Sequence, residues 1–146
     1  MNEMTTTRSA QCITMRDLAE LTNEEVEQAE RAASTYKPSD CDSFYKRVRS
    51  LESLVTTGYK LAVVLAKRTE DSKELRDIWK SASDLCDPVL KAMKSIKDSQ
   101  PDCGTSQLYD LVLDYKNAAF KRYQLNSEAL EWQTKPAPAG IFPESN

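Results

Sequence analysis

Apolar side chains recur at intervals of three and four along most of the chain, in four blocks separated by short polar or proline-containing stretches. That interval is the repeat of one helix face; a strand would show strict alternation instead. The first block runs from Met15 or Thr22 to Tyr36 and carries Val26, Ala29, Ala33 and Tyr36 on one face. Thr22 stands three residues before Glu25, the spacing of a capping box, in which hydroxyl and carboxylate each satisfy a free N–H. "TYKPSD" follows, where Pro38 stops the helix and Ser39 or Asp40 can cap the next one.

The second block runs from about Ser39 to Arg68. Phe44, Val48, Leu51, Val55, Gly58, Ala62 and Leu65 form a seam with alternating steps of four and three. The third, from Asp71 to Asp98, repeats the pattern with Leu75, Trp79, Ala82, Cys86, Val89, Met93 and Ile96. Pro88 lies inside it and removes one backbone donor, which predicts a kink near residues 83–87, or a break into two shorter helices. The fourth opens at Thr105 or Ser106 and ends near Trp132. Leu108, Val112, Tyr115, Ala119, Tyr123 and Leu130 line its face, with Leu111, Ala118 and Phe120 flanking. The last thirteen residues, "TKPAPAGIFPESN", hold three prolines and a glycine, which predicts an extended or flexible tail.

Short loops between long helices predict an all-α antiparallel four-helix bundle with a proline-kinked third helix and a flexible C-terminal tail. The expected domains are a flexible segment 1–14, the bundle 15–133 and the tail 134–146. A chain of 146 residues, 40% hydrophobic and 29% charged, fits one globular domain. With three glycines it has too few turn formers for a sheet fold.

Charge adds a pairing rule. Asp17, Glu20, Glu24, Glu25, Glu27 and Glu30 crowd the first helix, whereas Lys46, Arg47, Arg49, Lys60, Lys67 and Arg68 stud the second. Opposite charge favours their contact, at about 0–1 kcal/mol per exposed pair, so it selects register more than it stabilises. The net charge of −3 argues against nucleic-acid binding. The N-terminus "MNEMTTTRSAQC" has no apolar core, so no signal peptide is expected. The longest apolar run, Leu61 to Ala66, is far short of the about 20 residues that span a membrane. A cytoplasmic protein is the expectation.

Histidine is absent. That removes Ser-His and Cys-His nucleophile pairs and the Glu-x-x-His motifs of diiron bundles. Cys12, Cys41, Cys86 and Cys103 show no C-x-x-C, so no zinc site is expected, and free thiols are the simplest reading. In an up-down bundle Cys41 and Cys103 fall at the same end, which makes them the one candidate disulfide. No phosphate-cradling glycine motif occurs. Asp110 and Asp114 read as acids of a helix start, with a cation site as the sharper alternative. Lys91, Lys94 and Lys97 read as compensation of the helix dipole, or as a dock for an acidic partner. No cofactor, metal or small-molecule ligand is predicted.

Interaction surfaces remain. On the second helix the apolar arc widens through Leu54 and Leu61, opposite a basic strip with Arg49 and Lys60. An anionic membrane is the less favoured occupant of that strip. Trp132 lies at a helix end, and Ile141 with Phe142 forms an apolar pair in the polar tail. These seven residues predict a non-enzymatic protein-interaction module: an adaptor, a regulator or a pathogen-type effector. A self-associating assembly subunit is the alternative, and an enzyme using carboxylate or lysine chemistry the lesser one.

Overall fold

A computed structural model describes residues 14–35, 41–99 and 103–134. Among them are four helices and no strand: α1 (Met15–Thr35), α2 (Cys41–Ala66), α3 (Ser72–Ser99) and α4 (Ser106–Thr134). The expected terminal segments fall almost wholly outside the described residues, as do Cys12, Tyr36, Pro38, Ser39, Asp40 and Pro101.

Local chemistry sets the boundaries. Thr14 and Asp17 form the capping box of α1: the Asp17 N–H donates to Thr14 Oγ1 at 3.1 Å, and the Thr14 N–H to Asp17 Oδ2 at 3.0 Å. The helix therefore starts a full two turns before Thr22. The cap expected at Thr22 is corrected: its side chain is fully buried mid-helix and its hydroxyl donates to the Leu18 carbonyl at 2.6 Å. Asp71 caps α3 by accepting the Lys73 N–H at 2.9 Å. Gly104, at φ +72°, turns the chain into α4. α3 runs unbroken through Pro88, so the alternative of two shorter helices does not hold. α4 has no acid in its first turn, so Asp110 and Asp114 sit beyond the stretch where the dipole would favour them.

The helices pack as a bundle. α2 and α3 each touch all three other helices; α1 and α4 lie on opposite sides of that pair and share no extensive contact among the described residues. The α3–α4 contact is the broadest. Its cross-links run the whole length: Lys97 over the Tyr109 ring at 5.2 Å, Lys116 to Asp87 at 2.5 Å, Arg122 over Trp79 at 5.1 Å, and Gln133 to Ser72 at 3.1 Å. The α1–α2 contact carries the expected charge pair, Arg47 to Glu25 at 3.1 Å.

The core divides in two. One cluster gathers Phe44, Val48, Leu51, Val55, Val89, Met93, Ile96 and Val112, with Val26 and Ala29 of α1. The second is smaller: Met15, Ala62, Trp79, Ala82 and Ala119, with half-buried Tyr59, Leu61, Leu65 and Tyr123 around them. Between them α2 and α3 come close at Gly58, where a Cβ would overlap the buried Leu85 side chain. Cys41 and Cys103 form a disulfide at the end of the larger cluster. The free-thiol reading thus fails for these two and holds for Cys86, which is buried and unpaired.

Candidate interaction surfaces

α2 places its candidate residues on two different sides. Arg47, Leu54 and Leu61 follow one another seven residues apart, and so share one edge of the helix. Arg47 reaches Glu25 and, at 3.4 Å, Gln28 on α1. The edge carrying Leu54 and Leu61 therefore faces α1, both leucines are half-buried, and Leu61 packs against the smaller core cluster. Arg49 and Lys60 lie on the exposed side. Arg49 is engaged within its own helix by Glu52 at 3.6 Å, and Glu52 also accepts from the Thr56 hydroxyl. The structure does not gather these four into one patch. Ile141 and Phe142 lie outside the described residues.

Trp132 stands apart. It is 69% exposed, and Gln133 beside it ties the end of α4 to Ser72 at the start of α3. It also ends a line that the sequence reading did not assemble. Leu111, Ala118, Leu125 and Trp132 are spaced by seven on α4. Such a spacing drifts only about 20° per step, so the four form one stripe. Leu125 is 56% exposed and Leu111 38%. The buried face of α4, with Leu108, Val112 and Ala119, is centred about 110° around the helix from the middle of the stripe, although Leu108 lies only about 60° from Leu111. Five of the eight large apolar residues that are exposed among the described ones belong to α4. The sequence signal existed, since Leu111 and Ala118 flank the core face; the seven-residue continuation through Leu125 was the missing step. Phe120 and Leu113 occupy the other edge, where Phe120 is covered by Lys116 at 5.8 Å and by the Tyr123 ring.

Among the described residues no three acids, cysteines or histidines stand together as metal ligands would. A groove of about 570 Å³ between α3 and α4 is lined by Arg76, Asp77, Lys80, Tyr123, Ser127 and Glu131. Its cations are occupied: Arg76 by Asp77 at 3.0 Å, Lys80 by Asp84 at 2.9 Å. The hydrogen bond and charge of Asp84 raise the Lys80 pKa above its ordinary value. A lysine nucleophile or base needs the opposite shift. A second groove, about 440 Å³, runs between α1 and α3 past Met15, Asn23, Asp84 and Pro88. Cys86 is pushed up to about 12, first by burial, with Asp87 adding to the shift and Lys116 opposing it. A thiol held protonated in this way is inert as a nucleophile. Lys91 and Lys94 are exposed, while Lys97 lies over Tyr109.

No helix of the described residues is long and apolar enough to cross a membrane. No protein-family model matches the chain, and no curated protein or solved structure matches it.

Proposed function

We propose that the chain is a non-enzymatic helical module that binds other proteins, with the outer stripe of α4 as its working surface. The observation that carries this reading is the line Leu111–Ala118–Leu125–Trp132, exposed at its three large side chains and half-buried at Ala118, which burial in the bundle does not explain. Leaving large apolar side chains in water forgoes roughly 1.5–3 kcal/mol each, a cost that a docking surface offsets on binding. Trp132, a large amphipathic side chain of the kind enriched at binding hot spots, marks the end of the surface. Arg49 and Lys60 supply a charged flank on α2, and the tail with Ile141 and Phe142 follows directly after Trp132. Against an enzyme stand the paired state of Lys80 and Arg76 and the protonated, buried Cys86.

Capture from lysate tests it comparatively. Partners held by the wild-type chain are expected to be lost with Leu125→Glu or Trp132→Ala and kept with Leu54→Glu, at unchanged helical content. Retention by both α4 variants sinks the reading.

The same reading takes the bundle as antiparallel. The α3–α4 cross-links support this, because the α4 partner moves toward the end of its helix as the α3 residue moves toward the start of its own. A bend of α3 at Pro88 is supported by the missing N–H, which leaves the Asp84 carbonyl without its helical donor. The Cys41–Cys103 bond favours a thiol-oxidising setting over the cytoplasmic one expected from sequence.

A further inference from the structure

We propose that the occupant of the α4 stripe is a second copy of this chain, bound with its α4 antiparallel to the first across a two-fold axis at Ala118. The inference rests on the reading of the outer face of α4 as an interaction surface, and adds the partner and the register. A two-fold contact places each residue opposite its mirror position about the axis. With the axis at Ala118, Leu111 meets Leu125 of the second copy, and Leu125 meets its Leu111. Ala118, half-buried in its own chain, faces itself, and its small side chain lets the two helices approach closely. Trp132 falls opposite Gly104, whose exposed turn has open space where a side chain would stand. The whole length of α4, roughly 40 Å, then takes part.

Charge fixes the register. Asp114 and Arg122 lie one turn before and one turn after Ala118, about 40° to either side of it. In this pairing Asp114 of each copy meets Arg122 of the other, so the axis generates two opposite-charge contacts. Shifting the axis one turn along the stripe removes both. Arg122 is exposed, and its guanidinium already rests over the Trp79 ring at 5.1 Å. A guanidinium stacked on an aromatic face keeps its in-plane N–H groups free for a carboxylate. Trp79 therefore holds Arg122 ready. Asp114 has no hydrogen bond or ion pair among the described residues, and it is exposed.

Sedimentation velocity over a concentration series extending to millimolar protein reads the association. The wild-type chain is expected to dimerise; Asp114→Arg and Arg122→Asp each put like charges opposite and weaken the dimer about tenfold. The double variant restores it. In a Cys12→Ser background, Ala118→Cys is expected to form a disulfide-linked dimer in air. Gln124→Cys, about 120° around the helix, does not. A monomer at every concentration overturns the inference. So does a dimer unaffected by the charge changes or not restored by the double variant, and so does equal cross-linking at both cysteines. None of these results touches the capture experiment, which judges the interaction module separately. Circular dichroism on each variant separates loss of contact from loss of fold.

Discussion

Around the Cys41–Cys103 bond, Phe44, Val48, Leu51, Val89, Met93, Ile96 and Val112 are shut off from water, and with Val26 and Ala29 of α1 all four helices meet there through mostly aliphatic side chains. Around Trp79 the bundle is filled differently. Alanines 62, 82 and 119 occupy the centre, aromatic rings tilt against one another at 5.0–5.5 Å, and much of the apolar surface is only half covered. Arg122 closes the Trp79 face from outside. The difference lies in side-chain volume. Small residues bring helices close but bury little area each, so rings and charged stems must cover what the aliphatic core covers at the other end. The fully buried aliphatic side chains thus gather toward the disulfide end, while the most exposed apolar side chains, Leu125 and Trp132, belong to the other.

Several changes break or sharpen that contrast. The largest effect is expected from Phe44→Ala, a cavity in the aliphatic cluster, at about 3–5 kcal/mol by urea denaturation. Tyr59→Ala, in the half-covered cluster, is expected to cost about half as much; equal losses would erase the distinction. Next comes the disulfide, which closes a loop across 62 positions. Cys41→Ser with Cys103→Ser is expected to cost about 2–4 kcal/mol. Hydrogen exchange on that variant should show faster opening at the starts of α2 and α4, with little change at Trp79.

Alkaline pH probes the larger cluster, to which Cys86 belongs. Burial raises the Cys86 thiol from its ordinary value of 9.0 to about 12. The folded thiol keeps a proton that the unfolded one releases. Its contribution to stability is therefore complete below about pH 9 and is lost as pH rises from 9 to 12, by about 1.4 kcal/mol per unit. In Cys86→Ala that decline should be absent between pH 9 and 10.5, as read from paired urea midpoints against wild type. The smallest effect is Arg122→Ala, expected at about 0.5–1 kcal/mol for the cation over Trp79. A loss several times larger would mean that Arg122 holds more than one ring.

Much of the fold was legible in the apolar spacing. The seam of α2 from Phe44 to Ala62 and that of α3 from Trp79 to Ile96 are buried as read, because a helix with one apolar stripe has only one way to turn it from water. Thr22 was misread because a hydroxyl three residues before a carboxylate looks the same mid-helix as at a helix start. Only the position of Thr14 and Asp17 upstream decides between them. The α4 stripe went unassembled for a related reason. That helix is apolar on several sides, so spacing alone cannot say which residues the neighbours cover. Leu54 and Leu61 illustrate the converse: their arc was read correctly, yet α1 faces it, as Arg47 shows by reaching Glu25.

The sequence by itself determined four helices, most of their limits to within a few residues and the side that α2 and α3 turn inward, since these follow from local hydrogen bonding and a repeat of three and four. Which surfaces stay open and that Arg122 covers Trp79 were decided by tertiary structure alone, and tertiary structure turned the Cys41–Cys103 pairing from a candidate into a bond. Contacts between residues far apart in the chain depend on how whole helices stack, and no short stretch of sequence contains that geometry.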